Sequence, residues 1–224
     1  DVNLTFSDRY TGIIHYYMIH TLNRHGNPDT LSLDPMVTYD IGVQTIPPLR
    51  LDSIRLEAGR HNTISVNAPQ GHLYIRTRRG NAYEGKQVLV KQAGDQELIN
   101  TQEIGTVEKY LVGFYDLLIP IYPVMEIHKL EISQSNTTTV EIPAPGFVTF
   151  NMGQPGAGSL YQMISSGEPK WVMNLRENIR VQSYYLQPGS YRVVFRRDDH
   201  KSSSYTMIKD FTVKEGRPEA IKFF

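Results

Sequence analysis

An internal repeat constrains this chain more than any other feature. Residues 39–68, YDIGVQTIPPLRLDSIRLEAGRHNTISVNA, align without a gap on 115–144, YDLLIPIYPVMEIHKLEISQSNTTTVEIPA. Identities fall at Tyr39/Tyr115, Asp40/Asp116, Pro47/Pro123, Thr63/Thr139 and Ala68/Ala144. Apolar positions coincide at Ile41/Leu117, Val43/Ile119, Ile54/Leu130, Leu56/Ile132, Ile64/Val140 and Val66/Ile142. One further interval of 76 residues reaches Tyr191. After a short insertion, residues 210–224, DFTVKEGRPEAIKFF, repeat the end of the unit, with Phe211 at the place of Leu130. NLTF (3–6), HLYI (72–75) and FVTF (147–150) read as equivalent starts. The expected organisation is three modules, 1–70, 71–145 and 146–224, because self-similarity at a fixed period marks tandem architecture.

Each module must be built from strands. YRVVF, KDFTV and NTTTVEI alternate apolar and polar residues, the pattern of a half-buried strand. Turn punctuation is dense, as in RHGNPD (24–29), KQAGD (91–95) and GQPGAG (153–158). Only residues 100–115 tempt a helix, and Gly105 interrupts that stretch. Short strands between turns predict an all-β fold of tandem small antiparallel β-sandwiches, Ig-like or prealbumin-like. Ala-Pro occurs at 68–69 and 144–145, each followed by a glycine. Proline fixes φ and removes a donor, so each phrase, 61–71 and 136–146, reads as a closing strand and a stiff corner. With almost no linker, the modules are expected to form a semi-rigid arm.

LQPGSYRVVF (186–195) resembles the Leu-x-Pro-Gly-x-Tyr signature of prealbumin-like sandwiches, the group that includes collagen-adhesin B-type, carboxypeptidase regulatory-like and PEGA-type domains. GNPDTLSLDPMVTYDIGVQTIPP (26–48), NTTTVEIPAPG (136–146) and YYLQPGSYRVVF (184–195) are similar to the C-terminal region of bacterial von Willebrand factor A-domain proteins. That resemblance implies the β-rich tail of an exported, envelope-associated protein, periplasmic or at the cell surface. The A-domain itself has no counterpart here, because its metal site needs an Asp-x-Ser-x-Ser loop. Metal-dependent adhesion therefore carries over to no residue of this chain. The chain begins at Asp1 without Met or a signal-like segment, which reads as a processed or shortened product.

Composition narrows the partners. Twenty-three basic residues balance twenty-three acidic ones, so the basic excess of a nucleic-acid or anionic-membrane binder is missing. The chain has no cysteine, which excludes disulfide scaffolding, thiol catalysis and cysteine-ligated zinc. No apolar run approaches the roughly 18 residues that span a bilayer. His15 and His20 are five apart, which puts them on opposite faces of a strand. Asp198, Asp199 and His200 read as a charged hairpin tip. GQPGAGSL lacks the Lys-Ser/Thr of a phosphate loop, and no Gly-x-Ser-x-Gly elbow occurs. No catalytic, cofactor or metal residue is nominated. Adjacent tyrosines and the single tryptophan leave Tyr16, Tyr17, Trp171, Tyr184 and Tyr185 as candidate contacts for a glycan or protein partner. The expected role is a non-enzymatic structural, spacer or adhesion-type region, with carbohydrate binding as the alternative.

Overall fold

The computed structural model describes residues 2–22, 24–28, 30–165, 167–198 and 206–223. Among them there are eighteen strands and no helix, so the fold is all-β, built from β-sandwich modules. No helix among the described residues is long and apolar enough to cross a membrane.

The strands fall into three sets along the chain. In the first set, β1 (Val2–Asp8), β2 (Ile14–His20), β3 (Tyr39–Val43) and β4 (Leu49–Ile54) form one sheet, ordered β2-β1-β3-β4. The second set holds β5 (Gln70–Thr77), β6 (Gln87–Gln92), β7 (Leu98–Glu103), β8 (Val107–Leu111), β9 (Gly113–Ile119), β10 (Met125–Ile132) and β11 (Thr137–Ile142). They form the sheets β10-β9-β6-β7 and β11-β5-β8. The third set holds β12 (Gly146–Asn151), β13 (Gly156–Met163), β14 (Pro169–Asn174), β15 (Val181–Leu186), β16 (Gly189–Arg197), β17 (Met207–Val213) and β18 (Pro218–Lys222). Its sheets are β14-β13-β16-β17 and β15-β12-β18. Numbered by chain order within a set, the second and third sets have one topology: seventh-first-fourth in one sheet and sixth-fifth-second-third in the other. β12 runs antiparallel to β15 but parallel to β18, a departure from the purely antiparallel expectation. In the second set the His72 N–H to Asn136 O and Arg78 N–H to Ile142 O bonds advance in the same sense along its first and last segments. With seven strands in the unit, the last enters its sheet with the polarity of the first.

By compactness the chain divides into two units. One is Asp1–Leu73 with Glu108–Phe114 and Glu131–Thr138. The other is Tyr74–Val107, Tyr115–Leu130 and Thr139–Phe224. Within the first, the N–H of Leu111 donates to Ile46 O at 2.7 Å and that of Val112 to Pro69 O at 2.9 Å.

The repeated tyrosine is a core residue in every set: Tyr39, Tyr115 and Tyr191 are 1%, 2% and 0% exposed. Its register recurs too, with Tyr39 opposite Ile54 and Tyr191 opposite Phe211, both aligned positions. Burial in an apolar interior disfavours the phenolate, so it raises Tyr115 to about 12 and raises Tyr191 as well. Pro47 and Pro123, identical in the repeat, both follow cis peptide bonds.

Residues 100–115 form no helix, as the interruption at Gly105 implied: Gly105, at φ +102°, sits between β7 and β8. Two expectations need correction. NLTF is not equivalent to HLYI and FVTF. It lies in β1, which pairs with the third and fifth strands of its set as β6 and β13 do; it is a second strand. Residues 61–68 form no strand, although their aligned counterpart is β11. A strand needs a neighbour to satisfy its backbone groups, and no first strand lies beside this segment.

Candidate functional site

The five candidate aromatics do not converge. Tyr16 is half-buried on β2 and packs against the core of Phe6, Tyr39 and Ile41. Tyr17, its neighbour, points out and is 73% exposed, as alternation requires. Tyr184 packs against the third set's core, and its hydroxyl donates to Gln182 Oε1 at 2.7 Å. Tyr185 is exposed on β15 with its ring 5.3 Å from that of Phe147. Trp171 is 57% exposed on β14, a strand of the other sheet in that set. Asp199 and His200 lie outside the described residues.

Trp171 nevertheless has an organised setting. β14 is an edge strand, and Trp171 stands opposite Tyr161 across a bulge. Its indole N–H donates to Asn174 Oδ1 at 3.1 Å, and the Ser159 hydroxyl donates to the same oxygen at 2.9 Å. Ser159, Tyr161, Asn174, Glu177 and Arg196 line an adjoining concavity of about 310 Å³. Planar aromatics beside amide, hydroxyl and charged groups are the chemistry a hydroxyl-rich ligand needs. The sequence nominated Trp171 as its single tryptophan and gave no sign of Asn174 or Ser159.

The second organised cluster was missed in the sequence. It lies where strands 70–142 meet strands 146–222 inside the second compact unit. Gln187 occupies the variable position of Leu-x-Pro-Gly-x-Tyr and is only 9% exposed. Its Nε2 donates to Tyr83 Oη at 2.8 Å and to Pro143 O at 3.4 Å. Its backbone N–H donates to Tyr122 O at 2.7 Å, and Tyr122 forms a parallel bridge with Leu186. The Tyr191 hydroxyl donates to Gln187 O at 2.6 Å. Tyr83 is 1% exposed, and burial raises it to about 12. Nearby, Glu215 Oε1 accepts the Ala144 N–H at 3.2 Å, and Glu215 lies 3.8 Å from Arg78. Buried polar groups cost free energy unless they are paired, so this set holds its members to one geometry. A glutamine between Leu and Pro-Gly was the one visible signal; its partner Tyr83 lies 104 residues away.

The repeated aspartate supports strand ends in two sets and is replaced in the third. Asp40 is 3% exposed. It accepts the Ser53 N–H at 2.8 Å and contacts Arg50 at 2.7 Å and Arg9 at 3.1 Å. The Ser53 N–H first, then the Arg50 guanidinium, lower its carboxyl to about 2. Asp116 accepts the Lys129 N–H at 2.8 Å, which lowers its carboxyl too. Ser53 and Lys129 are aligned residues at φ +62° and +55°. In the third set Arg192 stands at the aspartate position and Asp210 at the Ser53 position, and they pair at 2.7 and 2.8 Å. One cross-strand position is thus filled by carboxylate-to-backbone bonding twice and by an ion pair once. Among the described residues no group of three or more His, Asp or Glu side chains is placed to hold a metal ion.

What the fold defines is a class, an all-β protein of repeated sandwich units. No family model matches the chain, and no curated protein matches it. Among solved structures it is similar to the Bacillus anthracis TIE protein, with 12% identity and a TM-score of 0.28 over 99% of this chain and 50% of that one. It is also similar to the pilus adhesin SpaC from Lactobacillus rhamnosus GG, with 11% identity and a TM-score of 0.24 over 96% of this chain and 36% of that one. The chain thus spans half the length of the first and about a third of the second.

Proposed function

We propose that the chain is a non-enzymatic spacer and interaction region of an exported bacterial envelope protein, made of three modules, 1–70, 71–145 and 146–224. It holds an attached domain or binding face at a set distance and orientation, in the periplasm or at the cell surface. Its partner is a protein or a glycan, and nucleic acid is not among its targets. The observation that carries this reading is the Gln187 joint. A flexible tether has no use for a buried glutamine shared by Tyr83, Pro143, Tyr122 and Tyr191. A part that transmits orientation does. The balanced charge and the resemblance to tails of A-domain proteins support the same reading.

Residual dipolar couplings test it. In the unchanged protein, strands 70–142 and 146–222 should fit one alignment tensor. In Gln187→Ala they should need two, with both sandwiches still folded. Two tensors in the unchanged protein would refute the spacer role.

Carbohydrate binding is the second reading, favoured by Trp171 beside the concavity that holds Asn174, Ser159 and Tyr161. Calorimetric titration with fragments of envelope polysaccharide tests it. Binding lost in Trp171→Ala would support it, and absence of heat from every fragment would end it.

A further inference from the structure

The first strand set is an incomplete copy of the other two. Its order, β2-β1-β3-β4, matches third-second-fifth-sixth. The fourth, first and seventh positions are unfilled among the described residues. The fourth would fall within 21–38 and the seventh within 55–69. The first, counted back 76 residues from β5, falls ahead of β1. In the third set that position belongs to β12. Its Val148 and Phe150 are fully buried between the sheets, and it runs parallel to β18.

At the corresponding place the first set has a groove of about 590 Å³. Leu4, Phe6, Met18 and Ile41 line it from the sheet, Leu31 and Leu33 from the connection between β2 and β3, and Ile64 and Val66 from the segment that follows β4. Ile64 and Val66 are each 37% exposed, whereas the aligned Val140 and Ile142 on β11 are 7% and 0% exposed. Segment 61–68 therefore has the alternation of a seventh strand, the apolar side chains to bury, and no strand beside it.

We propose that this groove is the seat of a single extended strand supplied by polypeptide ahead of β1. It runs parallel to residues 62–66, presents two apolar side chains inward, and converts 62–66 into the seventh strand. Both complete sets specify this occupant. In each, the first strand joins the second through a short connection, 78–86 or 152–155, so the strand that belongs here is the one leading directly into β1. An exposed strand-like segment with free backbone groups is a template for strand addition.

A donor-strand fusion tests the proposal. The sequence GFVTFNMGQP, which is β12 with its following turn (146–155), is joined ahead of Asp1. A control carries aspartate at the two inward positions, GFDTDNMGQP. Amide hydrogen exchange at residues 62–66 should slow about tenfold or more in the fusion and stay fast in the control and the unfused protein. Equal exchange in all three would overturn the proposal. Slow exchange in the unfused protein, together with a dimeric mass by light scattering, would also overturn it, because a second copy would then be the occupant. Adding the free peptide GFVTFN in trans gives an independent readout. Protection confined to 62–66 supports a strand seat, and protection elsewhere or none counts against it.

Discussion

The first and third strand sets descend from one sequence pattern and have unequal interiors. In the third, thirteen buried apolar residues from both sheets form one cluster, including Val148 and Phe150 of β12 and Ile221 and Phe223 at the chain's end. In the first, among the described residues, the corresponding cluster buries Phe6, Tyr39 and Ile41, with Leu4, Met18, Leu51 and others partly covered. The hydrophobic residues are present in both. What differs is the opposing sheet. A single sheet buries one face only when something covers it, and burial is where most of the favourable free energy arises.

Core truncation should show this contrast most strongly. Phe150→Ala should cost about 3–5 kcal/mol, because its site is sealed and collapses poorly. Phe6→Ala should cost less than half as much, since Phe6 already borders an open groove. Hydrogen exchange of the β16 and β3 amides reads the two sites separately. Equal losses would mean that the first interior is as closed as the third.

Glycine-to-alanine exchanges come next. A Cβ on Gly146 would meet Val213 Cγ1 at 2.5 Å, Arg217 O at 2.9 Å and Lys214 O at 3.0 Å. Two of these atoms are backbone and cannot rotate away, so Gly146→Ala should cost about 1–3 kcal/mol. A Cβ on Gly42 would meet only the Thr5 side chain, with Oγ1 at 2.5 Å. Rotation of Thr5 relieves that clash, so Gly42→Ala should stay within about 1 kcal/mol. Thermal unfolding followed by circular dichroism should rank the two variants in that order.

The carboxylates at the two ends of this cross-strand pair should separate by pH and salt. Asp40 and Asp210 both have carboxyls lowered below their usual value. Each therefore stabilises the fold above the unfolded carboxylate value near 4, and that contribution is lost as pH falls; for Asp40 the loss runs down through about 2. Asp40→Asn should flatten the pH dependence of the β3 and β4 amide signals between about pH 4 and 2. Asp210→Asn should matter at low salt and little at high salt, because Arg192 and Asp210 are 36% and 59% exposed and screened. A salt-sensitive Asp40→Asn effect would contradict its enclosure by Arg9, Arg50 and the Ser53 N–H.

These contrasts define what was legible in the sequence. Alternation in YRVVF and the Tyr39/Tyr115/Tyr191 interval depend on local side-chain period, and they correspond to buried tyrosines in equivalent strands. HNTISVNA carried the same alternation and yet is no strand, because pairing depends on what lies alongside. NLTF misled for the same reason: the second strand of one set mimics the first strand of another when only two alternating apolar residues are compared. Of the candidate contacts, spacing could tell inward from outward neighbours in each tyrosine pair. It could not show that Tyr184 bonds to Gln182 or that Gln187 reaches Tyr83 across 104 residues.

The smallest stability effect should come from Trp171, and that makes it the clean test of function. Trp171→Ala removes a side chain that is 57% exposed on an edge strand. What it loses is one cross-strand neighbour, Tyr161, and one bond to Asn174, whose Oδ1 keeps the Ser159 hydroxyl. Cross-strand pairs contribute about 0.2–1 kcal/mol, so the fold should survive with a loss below about 1 kcal/mol. Tyr17→Ala, at 73% exposure on an edge strand of the first set, should be similarly mild. The two variants should part only in binding. Tyr17 stands opposite Thr5 and, among the described residues, has no asparagine bonded to its ring as Trp171 has. A polysaccharide fragment whose calorimetric signal disappears in Trp171→Ala and persists in Tyr17→Ala would place the contact at β14. A signal lost equally in both would point to general aromatic stickiness and remove Trp171 as a specific site.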